Sequence, residues 1–130
     1  MGGYTAKRID EMEAIYGGAF KRAGAELGIE SFGLQIFDMP AGVDGYPEHD
    51  HEHDGQEEVY VALRGSGEFV IDGEHVPFDS ERIVRIEAGS KRKLMPGPEG
   101  VRVLALGGAP GKLYERPEPF RLGAADPAAT

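Results

Sequence analysis

The chain contains no cysteine. Disulfides and thiolate ligands are therefore excluded, and any metal it holds must be bound through nitrogen and oxygen. Nor does it have an apolar run near the ~20 residues needed to span a bilayer. The opening residues, MGGYTAKRIDEME, lack the apolar stretch of a secretory signal, and we expect a soluble, cytoplasmic protein. Positive charge is also scarce: 14 Lys and Arg stand against 23 Asp and Glu, a formal net charge of -9. That balance argues against nucleic acid and anionic membrane surfaces as partners, because both would be repelled.

What the chain does have is enough length for one core. At 130 residues, a domain buries about two-thirds of the surface its unfolded form exposes. Three zones follow one another. Residues 1–30 form an N-terminal segment in which Ile9, Met12, Ile15 or Tyr16, Phe20, Ala23 and Leu27 recur at helical spacing. Gly17-Gly18 interrupts that pattern, so it predicts one or two short helices packing on the rest. Residues 31–110 are β in character: Phe32, Leu34 and Ile36 alternate with smaller or polar neighbours, Glu57 to Leu63 is rich in β-branched and aromatic residues, and Ile83 to Ile86 and Val101 to Leu106 read as further strands. Glu68 to Ile71 should meet His75 to Phe78 across Asp72-Gly73, a type I′ hairpin signal. Short strands separated by glycine-rich turns roughly every 8 to 12 residues point to an all-β barrel or sandwich. Residues 111–130 are proline-rich and irregular, with disorder expected from Ala124.

The chemistry is concentrated in the run GYPEHDHEHDGQEEVYVALRG. If this segment is extended, His49, His51 and His53 lie on one face, since residues two apart on a strand point the same way. Asp54, Gly55 and Gln56 then permit a reversal into the strand that carries Glu58 back towards the imidazoles. Neutral imidazole with carboxylate suits a divalent transition metal: Fe, Mn, Zn, Ni or Cu. Either His51 and His53 or His49 and His51 can form the metal-binding pair, and spacing favours the former.

This run resembles the first motif of the cupin family, G-x5-H-x-H-x4-E-x6-G, at Gly45, His51, His53, Glu58 and Gly65. The resemblance implies a cupin-type double-stranded β-helix, or jelly-roll barrel. It further implies His51, His53 and Glu58 as metal ligands facing its interior, and Gly65 ending the strand in a turn. Glu57 should face the opposite way from Glu58. The second cupin motif, G-x5-P-x-G-x2-H-x3-N, is best placed from Glu81 to Pro96, where only Gly89 matches. Its histidine position is Arg92, which cannot coordinate a cation because its guanidinium offers only donors. Three arrangements are open. Arg92 pairs with Glu58 and takes the carboxylate away from any metal; or it swings aside while His49 completes the ligand set; or it binds the anionic end of a ligand.

Fold alone does not name a reaction. One expectation is a metal-dependent oxygenase or isomerase acting on a small polar or anionic molecule, in which Arg92 orients the substrate and Glu57 or Tyr60 moves a proton. The other is a metal-free, non-catalytic ligand-binding barrel with Arg92 and Glu58 paired in the pocket. His75 is expected to be an exposed strand residue, and Tyr60 to fill the core. A homodimer is expected from the resemblance and from the open edges of a small barrel.

Overall fold

A computed structural model describes residues 2–43 and 47–128. Gly45, the first glycine of the motif, lies outside these residues. The architecture is all-β, built on two long antiparallel strands. Strand β4 (Glu57–Ile71) and strand β7 (Arg92–Gly108) pair from end to end, from Glu57 opposite Gly108 to Ile71 opposite Arg92. Shorter strands complete two half-barrels around this pair. At one end β3 (Gly33–Met39) pairs with β7 and β6 (Ile83–Ile86) pairs with β4; at the other, β5 (Glu74–Asp79) pairs with β4.

Among the described residues all seven strands belong to one continuous antiparallel sheet, and the ladder between the two long strands is interrupted midway. Register shifts fall between Ala62 and Gly67, and within them Gly65 has φ +75. A Cβ at Gly65 would lie 2.1 Å from the Gly100 carbonyl oxygen, so only glycine permits this approach of the backbones. The expected strand end at Gly65 is instead a bulge through which β4 continues, since ladder bonds resume at Gly67. The β4–β5 hairpin turns at Asp72 (φ 49) and Gly73 (φ 84), the two positive φ values that a type I′ turn requires.

The core lies between the half-barrels. Phe37, Met39, Tyr60, Phe69, Phe78, Val84, Ile86, Leu94 and Val103 are all buried, with the rings of Tyr60, Phe69 and Phe78 packed in sequence at centroid spacings of 4.8 and 5.0 Å, each pair tilted by 55°. Each such side chain contributes about 1.5–3 kcal/mol by leaving water. Aromatic packing fills the interior, which leaves the polar groups at the mouth.

The N-terminal segment holds the two short helical pieces expected, with a hairpin between them that the helical spacing did not predict. A 3-10 turn (Ile9–Glu11) and a short helix α1 (Ala23–Leu27) flank a hairpin of β1 (Ala14–Ile15) and β2 (Phe20–Lys21). Tyr16, Gly17 and Gly18 have φ of 56, 70 and 96, three successive positive values that no right-handed helix accommodates. The hairpin joins the sheet through β2 and β3, while Met12 and Ala23 cover Ile36 on the outer face of β3. For this reason adjacent residues Ile36 and Phe37 are both buried.

Among the described residues the C-terminal tail is also held, and the disorder expected from Ala124 is not seen at Ala125 and Asp126. Arg22 donates from Nε to the Pro119 carbonyl at 2.9 Å and from Nη2 to the Ala125 carbonyl at 3.3 Å. Glu13 accepts from the Gly123 amide at 2.8 Å, and Asp126 accepts from the Tyr16 amide at 3.1 Å. Composition gave no sign of these long-range partners. Among the described residues, no helix is long and apolar enough to cross a membrane.

Candidate metal centre

The mouth is assembled by backbone pairing before any side chain acts. His49 and Arg92 face each other in an antiparallel bridge, with His49 N–H donating to the Arg92 carbonyl at 3.0 Å and Arg92 N–H to the His49 carbonyl at 2.8 Å. Residues directly opposite in such a pair project to the same side. One step on, His51 N–H donates to the Ala88 carbonyl at 2.8 Å. Glu58 enters from β4, two residues before the buried Tyr60 on the same face.

His49, His51 and Glu58 are thereby brought together, each offering one donor atom within 4.8 Å of the others. His51 Nε2 is 3.2 Å from Glu58 Oε1 and His49 Nε2 is 4.0 Å from it. His53 does not join them. The chain turns after His51, with Asp54 N–H and Gly55 N–H both donating to the His51 carbonyl and Gly55 at φ 72. The alternation that would place His53 beside His51 is broken, and its imidazole, 75% exposed, lies 3.4 Å from Asp54 Oδ2 instead. Beside Glu58 the structure places His49 and His51, while His51 and His53 come together beside Asp54.

Arg92 is wholly buried and does two things. Its Nη1 donates to Glu58 Oε1 at 2.9 Å, and its Nη2 to the Glu87 carbonyl at 2.6 Å. Its Nε is buried with no partner among the described residues. The Arg92–Glu58 pair and the His49–His51–Glu58 group, alternatives in the sequence, thus coexist. Tyr60 also donates its hydroxyl to Glu58 Oε1, which anchors the carboxylate from the core side. Among the described residues, no hydrogen bond reaches Glu58 Oε2. Glu57 lies on the opposite face, accepting from Arg85 Nε at 2.7 Å, away from this group. His75 is exposed on β5 and 2.8 Å from Glu68 Oε1.

The electrostatics follow from these contacts. The hydrogen bond to Glu58 and the charges of Glu58 and Asp54 raise the His51 pKa above its usual 6.5, against the opposing effect of burial. Burial alone would push the Glu58 carboxyl up. Hydrogen bonds from His51 and Tyr60 and the charges of His51 and Arg92 outweigh it and hold that carboxyl below its usual value.

Each imidazole is also oriented from behind. His49 Nδ1 lies 3.1 Å from the Pro47 carbonyl, and His51 Nδ1 lies 3.2 Å from Asp54 Oδ2. The Pro47 carbonyl accepts, so in the neutral His49 ring the hydrogen on Nδ1 leaves the Nε2 lone pair towards Glu58; His51 lies between two carboxylates, and in the metal-free protein its Nε2 carries the hydrogen that is donated to Glu58. Asp54 was missed as a positioning residue in the sequence, although its place three residues after His51 and just before Gly55 in a turn is a readable signal.

No family model matches the chain, and no curated protein does. Solved structures do. A cupin protein from Bacteroides fragilis aligns over 90% of this chain and 93% of its own length, with TM-score 0.68 and 22% identity. An RmlC-like cupin protein from Desulfovibrio desulfuricans aligns over 60% of this chain and 72% of its own, with TM-score 0.53 and 26% identity. A DMSP lyase from Ruegeria pomeroyi aligns over 64% of this chain but only 41% of its own, with TM-score 0.55 and 25% identity. With its two long strands and paired half-barrels, the chain has the cupin fold.

Proposed function

We propose that the protein binds one divalent transition metal between His49, His51 and Glu58 and acts on a small anionic or polar molecule at the barrel mouth, in an isomerase-like or dioxygenase-like reaction. The observation that carries this reading is that Nδ1 of both imidazoles meets an acceptor while both Nε2 atoms face a carboxylate. Two imidazole nitrogens and an anion directed at one point suit a positive ion, which takes the place of the proton on His51 Nε2 when it binds. The donor set, two nitrogens and a carboxylate oxygen, suits Fe, Mn, Zn, Ni or Cu. When bound, such an ion supplies Lewis-acid activation of a carbonyl or water, or with Fe(II) a place for dioxygen.

The chain's own groups set what could bind beside it. Arg92 offsets the charge of Glu58 through Oε1, the oxygen nearest both imidazoles, so an ion bound there shares that oxygen with the guanidinium. A carboxylate already neutralised in this way leaves the centre net positive once an ion is present, which favours an anionic oxygen donor as the remaining ligand. Tyr60 is buried and holds Glu58 in place. The DMSP lyase neighbour supports placing enzymatic chemistry on this fold.

Metal analysis of untagged protein, grown or dialysed with Fe, Mn, Zn, Ni and Cu, tests the reading. We expect about one ion per chain, lost in His49→Ala and Glu58→Ala, whereas occupancy below about a tenth in the wild type would overturn it. A second reading then takes over: a metal-free, non-catalytic barrel that binds a small ligand beside a structural Arg92–Glu58 pair. The complete burial of Arg92 at 2.9 Å from Glu58 favours it.

A further inference from the structure

His51 has two ring nitrogens, and the inner centre uses only one. On its other side, Nδ1 lies 3.2 Å from Asp54 Oδ2, and His53 Nε2 lies 3.4 Å from the same oxygen. One ligand atom from each of the three residues lies within 4.8 Å of the others. Nitrogen and oxygen ligands sit about 2.0–2.2 Å from a transition-metal ion, which puts neighbouring ligands about 3.0–3.5 Å apart, and the two measured separations lie in that range.

The arrangement is held in place by backbone. Asp54 Oδ1 accepts from the Gln56 amide at 3.0 Å, which turns Oδ2 towards the two imidazoles. The tight turn from His51 to Gly55 brings His53 back over His51, the rings lying 5.9 Å apart and 23° from parallel. Being mostly exposed, His53 leaves the outer side of the group open to water or a further ligand. Glu48, Asp50 and Glu52 in the same segment add negative charge that concentrates cations.

We infer that His51 Nδ1, His53 Nε2 and Asp54 Oδ2 form a second, outer site for a borderline transition-metal ion such as Zn, Ni or Cu, joined to the inner centre through the His51 ring. The inference rests on the inner reading only for that coupling. A neutral imidazole has one lone pair in the ring plane. An ion inside uses Nε2 with the hydrogen on Nδ1 towards Asp54; an ion outside uses Nδ1 with the hydrogen on Nε2 towards Glu58. Occupancy of one position therefore weakens the other. The outer site, with an exposed ligand and no buried anchor, is the weaker and faster-exchanging of the two.

Calorimetric titration of metal-stripped, untagged protein with zinc chloride tests this directly. Wild type should bind in two phases, the second at least about tenfold weaker than the first. His53→Ala, at an exposed position that leaves the fold intact, should abolish the second phase and leave the first. His49→Ala should abolish or weaken the first and leave the second, now undisturbed by competition. The inference is overturned if wild type takes up a single equivalent that His53→Ala retains, if His53→Ala leaves both phases in place, or if no zinc binds. A single equivalent lost in His53→Ala but kept in His49→Ala would uphold the outer site and overturn the inner one instead.

Discussion

Arg22 and Arg92 are 2% and 0% exposed, yet their guanidinium groups meet different surroundings. Arg22 spends Nε, Nη1 and Nη2 on Pro119, Glu13 and Ala125, and so ties the N-terminal hairpin to the C-terminal tail. Arg92 spends Nη1 on Glu58 and Nη2 on the Glu87 carbonyl, and leaves Nε unpaired. Native interiors rarely leave such a donor without a partner, and the exceptions collect at sites whose use is something other than stability. One arginine is a structural clamp with its donors engaged; the other belongs to a polar group at the barrel mouth, where a carboxylate is shared among several donors.

The difference should be largest in unfolding. Arg22→Met takes the guanidinium from Glu13, which keeps the Gly123 amide, and from two carbonyls at once, and we expect a loss of about 3 kcal/mol in urea denaturation. Arg92→Met should cost about 1–2 kcal/mol, because Tyr60 and His51 still donate to Glu58 and the methionine fills the volume without a charge to bury. If Arg92→Met proved the more damaging of the two, the mouth would be the principal clamp and the contrast would fail.

Metal affinity separates the two arginines in the opposite sense. Arg92→His removes a positive charge 2.9 Å from Glu58 Oε1 and adds an imidazole opposite His49, so the inner centre should tighten about tenfold or more in zinc titration. Arg22→Met should leave the affinity of the folded protein unchanged. Equal affinity in wild type and Arg92→His would mean that the arginine's charge is not felt by the ion.

How much of this was legible in the sequence depends on the range of the interactions. The strand stretches 57–63, 68–71 and 75–78, with the turn at Asp72-Gly73, follow from local alternation and turn chemistry, but the joining of the first two into one strand through Gly65 does not. The convergence of His51 with Glu58 follows from motif spacing. The choice of His49 over His53 does not, because it is decided by a β-bridge to Arg92, distant in sequence, and by a turn that ends the extended backbone after His51. The hairpin at Ala14–Lys21 was hidden because its apolar residues also fit a helical period, and only the positive φ at Tyr16, Gly17 and Gly18 separates the two. The anchoring of the tail on Arg22 was out of reach, since its partners lie about a hundred residues away.

Acid and base should dissect the two regions further, with the smallest effects and the sharpest signs. At the clamp, the Gly123 amide and Arg22 hold the Glu13 carboxyl below its usual 4.5, and the Ala128 and Tyr16 amides hold Asp126 below its usual 3.8. A carboxyl lowered by folding stabilises above its unfolded pKa and loses that contribution as pH falls through the folded value. The clamp should therefore loosen on the acid side alone. At the mouth of the metal-free protein Glu58 behaves the same way, but His51 has the opposite sign: its pKa is raised above 6.5, so its contribution is complete below that pH and disappears as pH rises through the folded value. The mouth is thus weakened from both sides and the clamp from one. Amide exchange, corrected for intrinsic rates, should show His49 and His51 losing protection as pH is raised above 6.5 while Tyr16 and Gly123 hold theirs, and His51→Asn should remove the alkaline loss. Parallel loss at all four amides on the alkaline side would mean that one global transition governs both regions and that the histidine makes no separate contribution at the mouth.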